Sequence, residues 1–368
     1  MRNIGDLIQR HITNYPALEL VDLIKLTYQN EFGPGHMVSY DKNVCERILI
    51  EIENCKQICR PNFMSEYIGN GLTRVHCVLF SRLFENKELA AKVLASIFAE
   101  SASIHKGCFY SFADKLDILL NLIKHGHLRD DGEYKFKNWA YNYPKSRKEI
   151  DNYIADDYPA PSHSDDYRKY YHPCYRVVIR EFLQYVDLFK LIEPSLAFGR
   201  KVILGIDGRS GAGKTTLAKI ITNVYGGDFI SMDDFYLPLE FRTPERMDIP
   251  GGHIHFERFI KQVLNPIKAC HSSITYEKYD CQKGEFSTVT SNLNSQVVVI
   301  EGSYSNHPWI RDLYSHTVFL NISDQTQKKR LLKRGGRESY QILKSKWIPL
   351  ENKYHKAYDT DKACNILF

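Results

Sequence analysis

A glycine-rich segment at residues 208–216, GRSGAGKTT, holds the residues best suited to chemistry. It follows the apolar run VILGI at 202–206 and precedes the stretch TLAKIITNVY. Glycines let the backbone curl so that several N–H groups point at one anion, and a helix beginning near Lys214 adds the positive end of its dipole. The order of strand, glycine turn and helix therefore predicts a phosphate-binding loop.

Each position of this segment has an expected role. Lys214 can reach the β- and γ-phosphates of ATP, and the Thr215 hydroxyl can ligate Mg²⁺. A glycine turn with a surface lysine is the alternative, and the flanking strand and helix count against it. The residues expected to bind the cofactor ATP are Gly208, Ser210, Gly211, Ala212, Gly213, Lys214, Thr215 and Thr216.

Carboxylates follow two further predicted strands. Asp233 and Asp234 come after the strand at 229–232, and Glu301 comes after the strand at 297–300. The carboxyl ends of parallel strands meet at one edge of a sheet. There Asp233 can orient an acceptor hydroxyl and take its proton, with Asp234 as the alternative base and helix capping as the alternative role. Glu301 is expected to hold Mg²⁺ directly or through water.

Arginines and aromatic residues can complete such a site. Three arginines lie on or just past a predicted helix and can close over the triphosphate, unless they form a solvated basic face: Arg330, Arg334 and Arg337. Four side chains in the insertion between the second and third strands can contact the acceptor, although each is also suited to packing: Tyr236, Arg242, Tyr279 and Asp280.

Residues 200–368 resemble the uridine kinase and phosphoribulokinase group of P-loop kinases. The resemblance is carried by GRSGAGKTT, ISMDDFYLP, IPGGHIHFERF, the Tyr279-Asp280 pair, IEGSYSNHP and KKRLLKRGGR. It implies an α/β P-loop fold and ATP-dependent phosphorylation of a hydroxyl on a small molecule. It also implies that Asp233 is the base, that Tyr236 and Tyr279 contact the acceptor, and that the arginines form a lid.

The sequence is compatible with more than one phosphate acceptor. Pyrimidine kinases of this group carry a histidine and an arginine after the Tyr-Asp pair, where this chain has Lys283 and Glu285. A nucleoside such as uridine or cytidine is the leading expectation, and a sugar or a pantothenate-like alcohol is the alternative. A further alternative is an ATP-binding regulatory switch that acts through the first half, although the chain contains no NKxD or LSGGQ motif.

Pattern and length predict two domains, a mainly α-helical domain at 1–195 and the P-loop kinase domain at 196–368. Apolar strands alternating with helices in the second part predict a mostly parallel sheet covered on both faces. In the first part, helices are predicted at 44–58, 88–102, 112–123 and 177–192, the last ended by Pro194. This half is expected to shape the acceptor site or to mediate self-association into a homo-oligomer.

Composition and charge argue against a nucleic-acid-binding, membrane-spanning or disulfide-rich protein. The chain has 368 residues and a formal net charge of +5, with the positive excess in its second half. This charge suits an anionic nucleotide and is too small and scattered to indicate nucleic-acid binding. No apolar segment predicts a leader or a membrane span. Nine cysteines without a CxxC pair favour reduced thiols in the cytoplasm over disulfides or a zinc site.

Two passages of the first half combine histidines and acids on Gly- or Pro-rich segments, at 31–36 and 162–173. They predict either a polar site or ordinary turns with capping residues and surface histidines. A metal cluster of His36, His76 and His163 is a further alternative.

Overall fold

Two separate apolar cores divide the chain into two units, Met1–Leu183 and Gln184–Phe368. The computed structural model describes residues 4–35, 42–55, 63–125, 143–281 and 283–368. The sequence-based division after residue 195 falls inside the second unit.

In its described part, the first unit combines helices with a small antiparallel sheet. The helices are α1 Ile4–Asn14, α2 Leu20–Phe32, α3 Lys42–Asn54, α4 Cys77–Ser81, α5 Lys87–Ile104, α6 Phe109–Lys124, α7 Tyr143–Ala155 and α8 Asp165–Tyr171. The strands are β1 Ser65–Gly69, β2 Leu72–His76 and β3 Tyr175–Ile179, paired in the order β1-β2-β3. Its core packs Ile8 of α1, Leu23 of α2 and Phe112 of α6, all fully buried.

The predicted helix at 177–192 is wrong over its first half. Residues 175–179, YRVVI, form strand β3, because a β-branched run suits a pleated and partly buried surface. A 3₁₀ turn at Arg180–Tyr185 follows, and helix α9 spans Val186–Ala197 with Pro194 inside it rather than at its end. The predicted helix at 44–58 corresponds to α3, and its last residues lie outside the described ranges.

The second unit begins with α9 and contains a five-stranded sheet. Its strands are β4 Val202–Gly208, β5 Phe229–Ser231, β8 Val297–Glu301, β9 His316–Leu320 and β10 Ile366–Leu367, with a separate hairpin of β6 Ser273–Asp280 and β7 Glu285–Asn292. Its other helices are α10 Lys214–Tyr225, α11 Pro244–Asp248, α12 Phe256–Phe259, α13 Asn265–Lys268, α14 Asp324–Ile342 and α15 Ile348–Tyr358. Two π-helical turns join neighbouring helices, at Ile260–Leu264 and Leu343–Trp347.

The sheet has the order β10-β9-β4-β8-β5, and all of its neighbouring strands are parallel. All five residues of β8, VVVIE, are buried, as expected for a strand covered on both faces. These observations confirm the predicted α/β class of P-loop kinases. The register pairs Glu301 of β8 with Ile206 of β4 and with Ser231 of β5, so the carboxyl ends of three strands meet at one edge.

The insertion between β5 and β8 contains β6 and β7, which pair over their full length as an antiparallel hairpin. Within the described ranges, none of the helices combines the length and the apolar character needed to cross a membrane.

Candidate active site

The glycine loop (residues 208–216) joins the end of β4 to the start of α10. Gly208, Gly211 and Gly213 have φ angles of 141°, 80° and 105°, which side chains with a Cβ rarely adopt. A Cβ at Gly208 would also collide with the carbonyl oxygen of Leu320 on the neighbouring strand β9. The conformation of the loop therefore depends on glycine at these positions.

Lys214 folds back across this loop. Its ammonium donates to the carbonyl oxygens of Gly208 and Arg209, at 2.7 and 3.2 Å, and to Ser303 Oγ at 3.2 Å. The cation thus lies at the end of the sheet, between the loop and the segment that follows β8. From this position it can interact with an anion held by the loop.

A carboxylate from another part of the chain occupies the glycine loop. Glu351 of α15 accepts hydrogen bonds from the Ser210 N–H at 3.1 Å and from the Ser210 hydroxyl. It also accepts a bond of 2.8 Å from Ser303 Oγ, and it is 5% exposed. The loop is thus built to bind an anion, because its donors converge on a buried negative group. Neither Glu351 nor Ser303 was predicted from the sequence: Ser303 lies in the motif IEGSYSNHP, but no local pattern relates either residue to the loop.

Thr215 and Glu301, which the sequence predicts as metal ligands, lie next to each other. The Thr215 hydroxyl donates to Glu301 Oε2 at 3.3 Å. Burial raises the pKa of Glu301, the positive charge of Lys214 opposes that shift, and the nearby Asp233 adds to it. A hydroxyl oxygen beside a carboxylate is the kind of donor set that Mg²⁺ prefers, so the pair fits a hard cation.

Asp233 lies in the 3₁₀ turn Met232–Phe235 that follows β5. Part of its surface is accessible, but surrounding protein displaces much of its hydration and thereby raises its pKa. Lys214 opposes this shift, whereas the negative charge of Glu351 adds to it. Asp233 therefore shares the electrostatic environment of the lysine and the anion at the glycine loop.

The neighbouring Asp234 is committed to internal contacts. It is buried, and its two carboxylate oxygens interact with the Tyr276 hydroxyl at 2.9 Å and the Lys278 ammonium at 2.7 Å. Its carbonyl oxygen accepts a hydrogen bond of 3.1 Å from Arg258. Asp234 thus fixes the β6 strand to the turn, and its side chain is not available to an incoming hydroxyl.

One predicted lid arginine reaches the glycine loop. Arg330 of α14 donates to the carbonyl oxygens of Gly211 and Ala212, both at 3.3 Å. Farther along, α14 has a kink at Gly336, where φ is 72°. Two predicted lid residues are exposed to solvent: Arg334 and Arg337.

Two of the predicted acceptor contacts lie in the first part of the insertion. The Tyr236 hydroxyl is 3.5 Å from Asp233 Oδ1, so its donor faces the candidate base. Arg242 donates to the carbonyl oxygen of Leu237 at 2.7 Å and lies 3.4 Å from Cys281 Sγ. Tyr236 therefore lies next to the candidate base, whereas Arg242 hydrogen-bonds to the backbone of its own segment.

The other two acceptor candidates belong to the β6–β7 hairpin. Tyr279 is buried, and its ring centroid lies 5.1 Å from that of Phe286 across the hairpin. Asp280 Oδ1 accepts a hydrogen bond of 3.2 Å from the Lys283 N–H in the turn. Both side chains thus serve the hairpin in this structure, and their contact with an acceptor stays a prediction.

The passage at 162–173 in the first unit enters a buried polar network. His163 bonds to Asp22 Oδ1 at 2.8 Å and to the Tyr175 hydroxyl at 2.7 Å, and it stacks on Tyr167 with ring centroids 4.1 Å apart. Burial lowers the pKa of His163 to about 4, which keeps the ring neutral. Among the described residues, neither His163 nor His76 belongs to a group of three metal ligands.

The passage at 31–36 begins with a similar buried contact. Glu31 accepts hydrogen bonds from Lys115 at 2.6 Å, from Ser111 at 2.9 Å and from the Cys108 N–H at 2.8 Å. Burial favours the protonated form of Glu31, but these donors outweigh it and lower its pKa. The last residue of the passage, His36, lies outside the described residues.

Comparison with known proteins adds to this geometry. The chain is 34% identical over 119 residues to uridine-cytidine kinase D of Dictyostelium discoideum, which covers 32% of this chain and 23% of that protein. It is 27% identical over 156 residues to the uridine kinase of Ligilactobacillus salivarius, which covers 40% of this chain and 72% of the relative. Part of this chain is uridine kinase-like. The motifs that carry the resemblance all lie in the second unit, hereafter the kinase-like unit.

The extent of these matches is limited. The chain spans about a quarter of the length of the Dictyostelium protein. A solved structure described as a possible uridine kinase from Bacillus stearothermophilus aligns with 51% of this chain and 99% of its own, at 21% identity and a TM-score of 0.38. No family model matches the chain.

Proposed function

We propose that the kinase-like unit transfers the γ-phosphoryl group of ATP to a hydroxyl group of a small molecule. The observation that carries this proposal is the buried anion held by the glycine loop beside Asp233. The loop donates the Ser210 N–H and hydroxyl to the Glu351 carboxylate, and the Ser303 hydroxyl after β8 adds a third donor. Such donors suit a phosphate group equally well.

The residues of this site would have two roles, to bind Mg-ATP and to transfer the proton of the acceptor hydroxyl. The backbone of the glycine loop and Lys214 would bind the phosphates, and Arg330 would offset their charge from α14. Thr215 and Glu301 would hold Mg²⁺, which supplies charge neutralisation when bound. Asp233 would orient the acceptor hydroxyl and take its proton, because Asp234 is engaged by Tyr276 and Lys278.

The acceptor that we propose first is a pyrimidine nucleoside such as uridine or cytidine. The names of the curated relatives support this choice. The position of Tyr236 beside Asp233 supports it too, because an aromatic ring next to the base can stack on a nucleobase or a sugar. Sugars and pantothenate-like alcohols are the alternative acceptors. They stay in the test because Lys283 and Glu285 occupy positions where pyrimidine kinases of this group carry a histidine and an arginine.

A screen of nucleosides, sugars and pantothenate, read as ADP release by the full chain with Mg-ATP, tests the proposal. We expect ADP release that depends on one class of alcohol. Asp233→Asn should lower turnover about 10²–10⁴-fold and leave the Kd for ATP nearly unchanged, because proton transfer is lost while the loop is intact. Asp312→Asn, on an exposed aspartate of the same unit, is the matched control.

Two outcomes would count against this function. Full turnover in the Asp233→Asn variant would remove the assigned base. ATP hydrolysis that proceeds at the same rate without any alcohol would instead indicate a nucleotide-dependent switch.

A further inference from the structure

Two cysteines that are far apart in sequence lie next to each other in the first unit. Strands β2 and β3 pair in antiparallel register, and their last pair is His76 with Tyr175. Cys77, the first residue of α4, directly follows β2, and Cys174 directly precedes β3. The Cys77 N–H donates to the Cys174 carbonyl oxygen at 3.0 Å. Both thiols are reduced and buried.

A carboxylate completes this group. Glu51 of α3 places Oε2 3.7 Å from Cys77 Sγ and 3.7 Å from Cys174 Sγ. The three ligand atoms all lie within 4.8 Å of one another. Tetrahedral zinc with Zn–S bonds of about 2.3 Å and Zn–O bonds of about 2.1 Å separates its sulfur and oxygen ligands by about 3.6 Å. The two sulfur–oxygen distances therefore match two edges of a zinc coordination tetrahedron.

The neighbouring Arg176 supports such a site. Its guanidinium donates to both oxygens of Glu51, each at 2.8 Å, and thereby fixes the orientation of the carboxylate. Carboxylate ligands of metals are commonly held by hydrogen bonds of this kind. Two thiolates and one carboxylate carry three negative charges, which a divalent cation and Arg176 together neutralise.

A cavity of about 310 Å³ adjoins the group. Glu51 and Cys174 line it, together with Cys55, Arg168 and His172. Three protein ligands beside an open space are the arrangement of a zinc site that keeps one coordination position for water or a ligand. Because Arg168 adds a positive charge to the wall, a ligand in this cavity is expected to carry a negative charge.

We propose that Glu51, Cys77 and Cys174 bind one zinc ion in the first unit, with the fourth coordination position open to the adjoining cavity. Binding releases the two thiol protons, since the thiolates are the ligands. The site is independent of the kinase-like unit and of its proposed activity.

Metal content and cobalt substitution test this site in the full chain. The protein purified under reducing conditions should contain about one zinc per chain by mass spectrometry. After removal of zinc, Co²⁺ should give the ultraviolet charge-transfer band of thiolate ligands. Cys77→Ser and Cys174→Ser should each abolish the band, and Glu51→Gln should weaken Co²⁺ binding. Cys108→Ser, on an exposed cysteine of the same unit, should leave the band unchanged.

A second measurement needs no variant. In the wild-type chain, added zinc should protect two thiols from a thiol-reactive reagent, and a chelator should restore their reactivity. The proposal is overturned if the reduced chain takes up neither zinc nor cobalt, or if zinc protects no thiol. A native disulfide between Cys77 and Cys174, with no metal uptake after its reduction, would also overturn it.

Discussion

Replacing Glu351 with glutamine should strengthen ATP binding, provided that the kinase-like unit binds ATP as proposed. The carboxylate lies on the donors that would receive a phosphate, so it must leave before a nucleotide enters. Glutamine keeps the shape of the side chain and its carbonyl acceptor, but it lacks the negative charge. The substitution therefore changes the competition for the loop with little change in packing.

The size of the effect follows from the contacts that are weakened. A hydrogen bond to a charged group contributes about 1.5–3 kcal/mol, against about 1 kcal/mol for a neutral pair. Glu351 accepts three such bonds, from the Ser210 N–H, the Ser210 hydroxyl and the Ser303 hydroxyl. The smallest difference is about 0.5 kcal/mol per bond, so loss of the charge should make displacement easier by at least about 1.5 kcal/mol over the three bonds. Each 1.4 kcal/mol is a tenfold change in Kd, so we expect the Kd for ATP to fall about tenfold or more.

Isothermal titration calorimetry of the full chain with a non-hydrolysable ATP analogue and Mg²⁺ measures this change directly. Glu338→Gln makes the same chemical substitution at an exposed position of α14 and should leave the Kd unaltered. An unchanged or weaker affinity in the Glu351→Gln variant would refute the reasoning. It would mean that the carboxylate does not compete with the nucleotide for the glycine loop.

Further predictions concern the same site. Lys214→Ala should remove most phosphoryl transfer, because the cation at the glycine loop is lost. Lys219→Ala, on the exposed face of α10, should leave the rate unchanged. Equal rates for the two variants in a kinase assay would contradict this role of Lys214. Burial raises the pKa of Asp233, and Lys214 and a hydrogen bond from Tyr236 oppose the shift. Activity that needs ionised Asp233 is lost as pH falls through this raised pKa. Because Tyr236→Phe removes a hydrogen bond that lowers the pKa of Asp233, it should move the acidic limb of the pH–activity profile to higher pH. An acidic limb that stays in place or moves to lower pH would argue against Asp233 as the base. In chemical denaturation, Gly208→Ala should lower the free energy of unfolding by about 1–3 kcal/mol more than Gly226→Ala. Both glycines have positive φ, but only a Cβ at Gly208 would collide with a backbone atom. Equal losses of stability would show that this collision costs nothing.

Local sequence determined the sheet of the kinase-like unit and the place of its glycine loop. Short apolar runs ended by glycine or acidic residues predict buried parallel strands, and β4, β5 and β8 lie where those runs are. The same reasoning failed at 177–192, where an apolar run suited both a helix and a strand. Pairing with β2 decided for the strand β3, and this pairing joins residues about a hundred positions apart.

Tertiary structure alone decided which side chains share a site. Asp233 and Asp234 are adjacent in sequence, but contacts from β6 engage only Asp234. Glu351 reaches Ser210 across a separation of 141 residues, and Cys77 meets Cys174 only through the register of β2 and β3. Periodicity and turn chemistry report on neighbours within a few positions, because they reflect local backbone geometry. Contacts between distant side chains depend on how complete elements pack, and no local pattern records them.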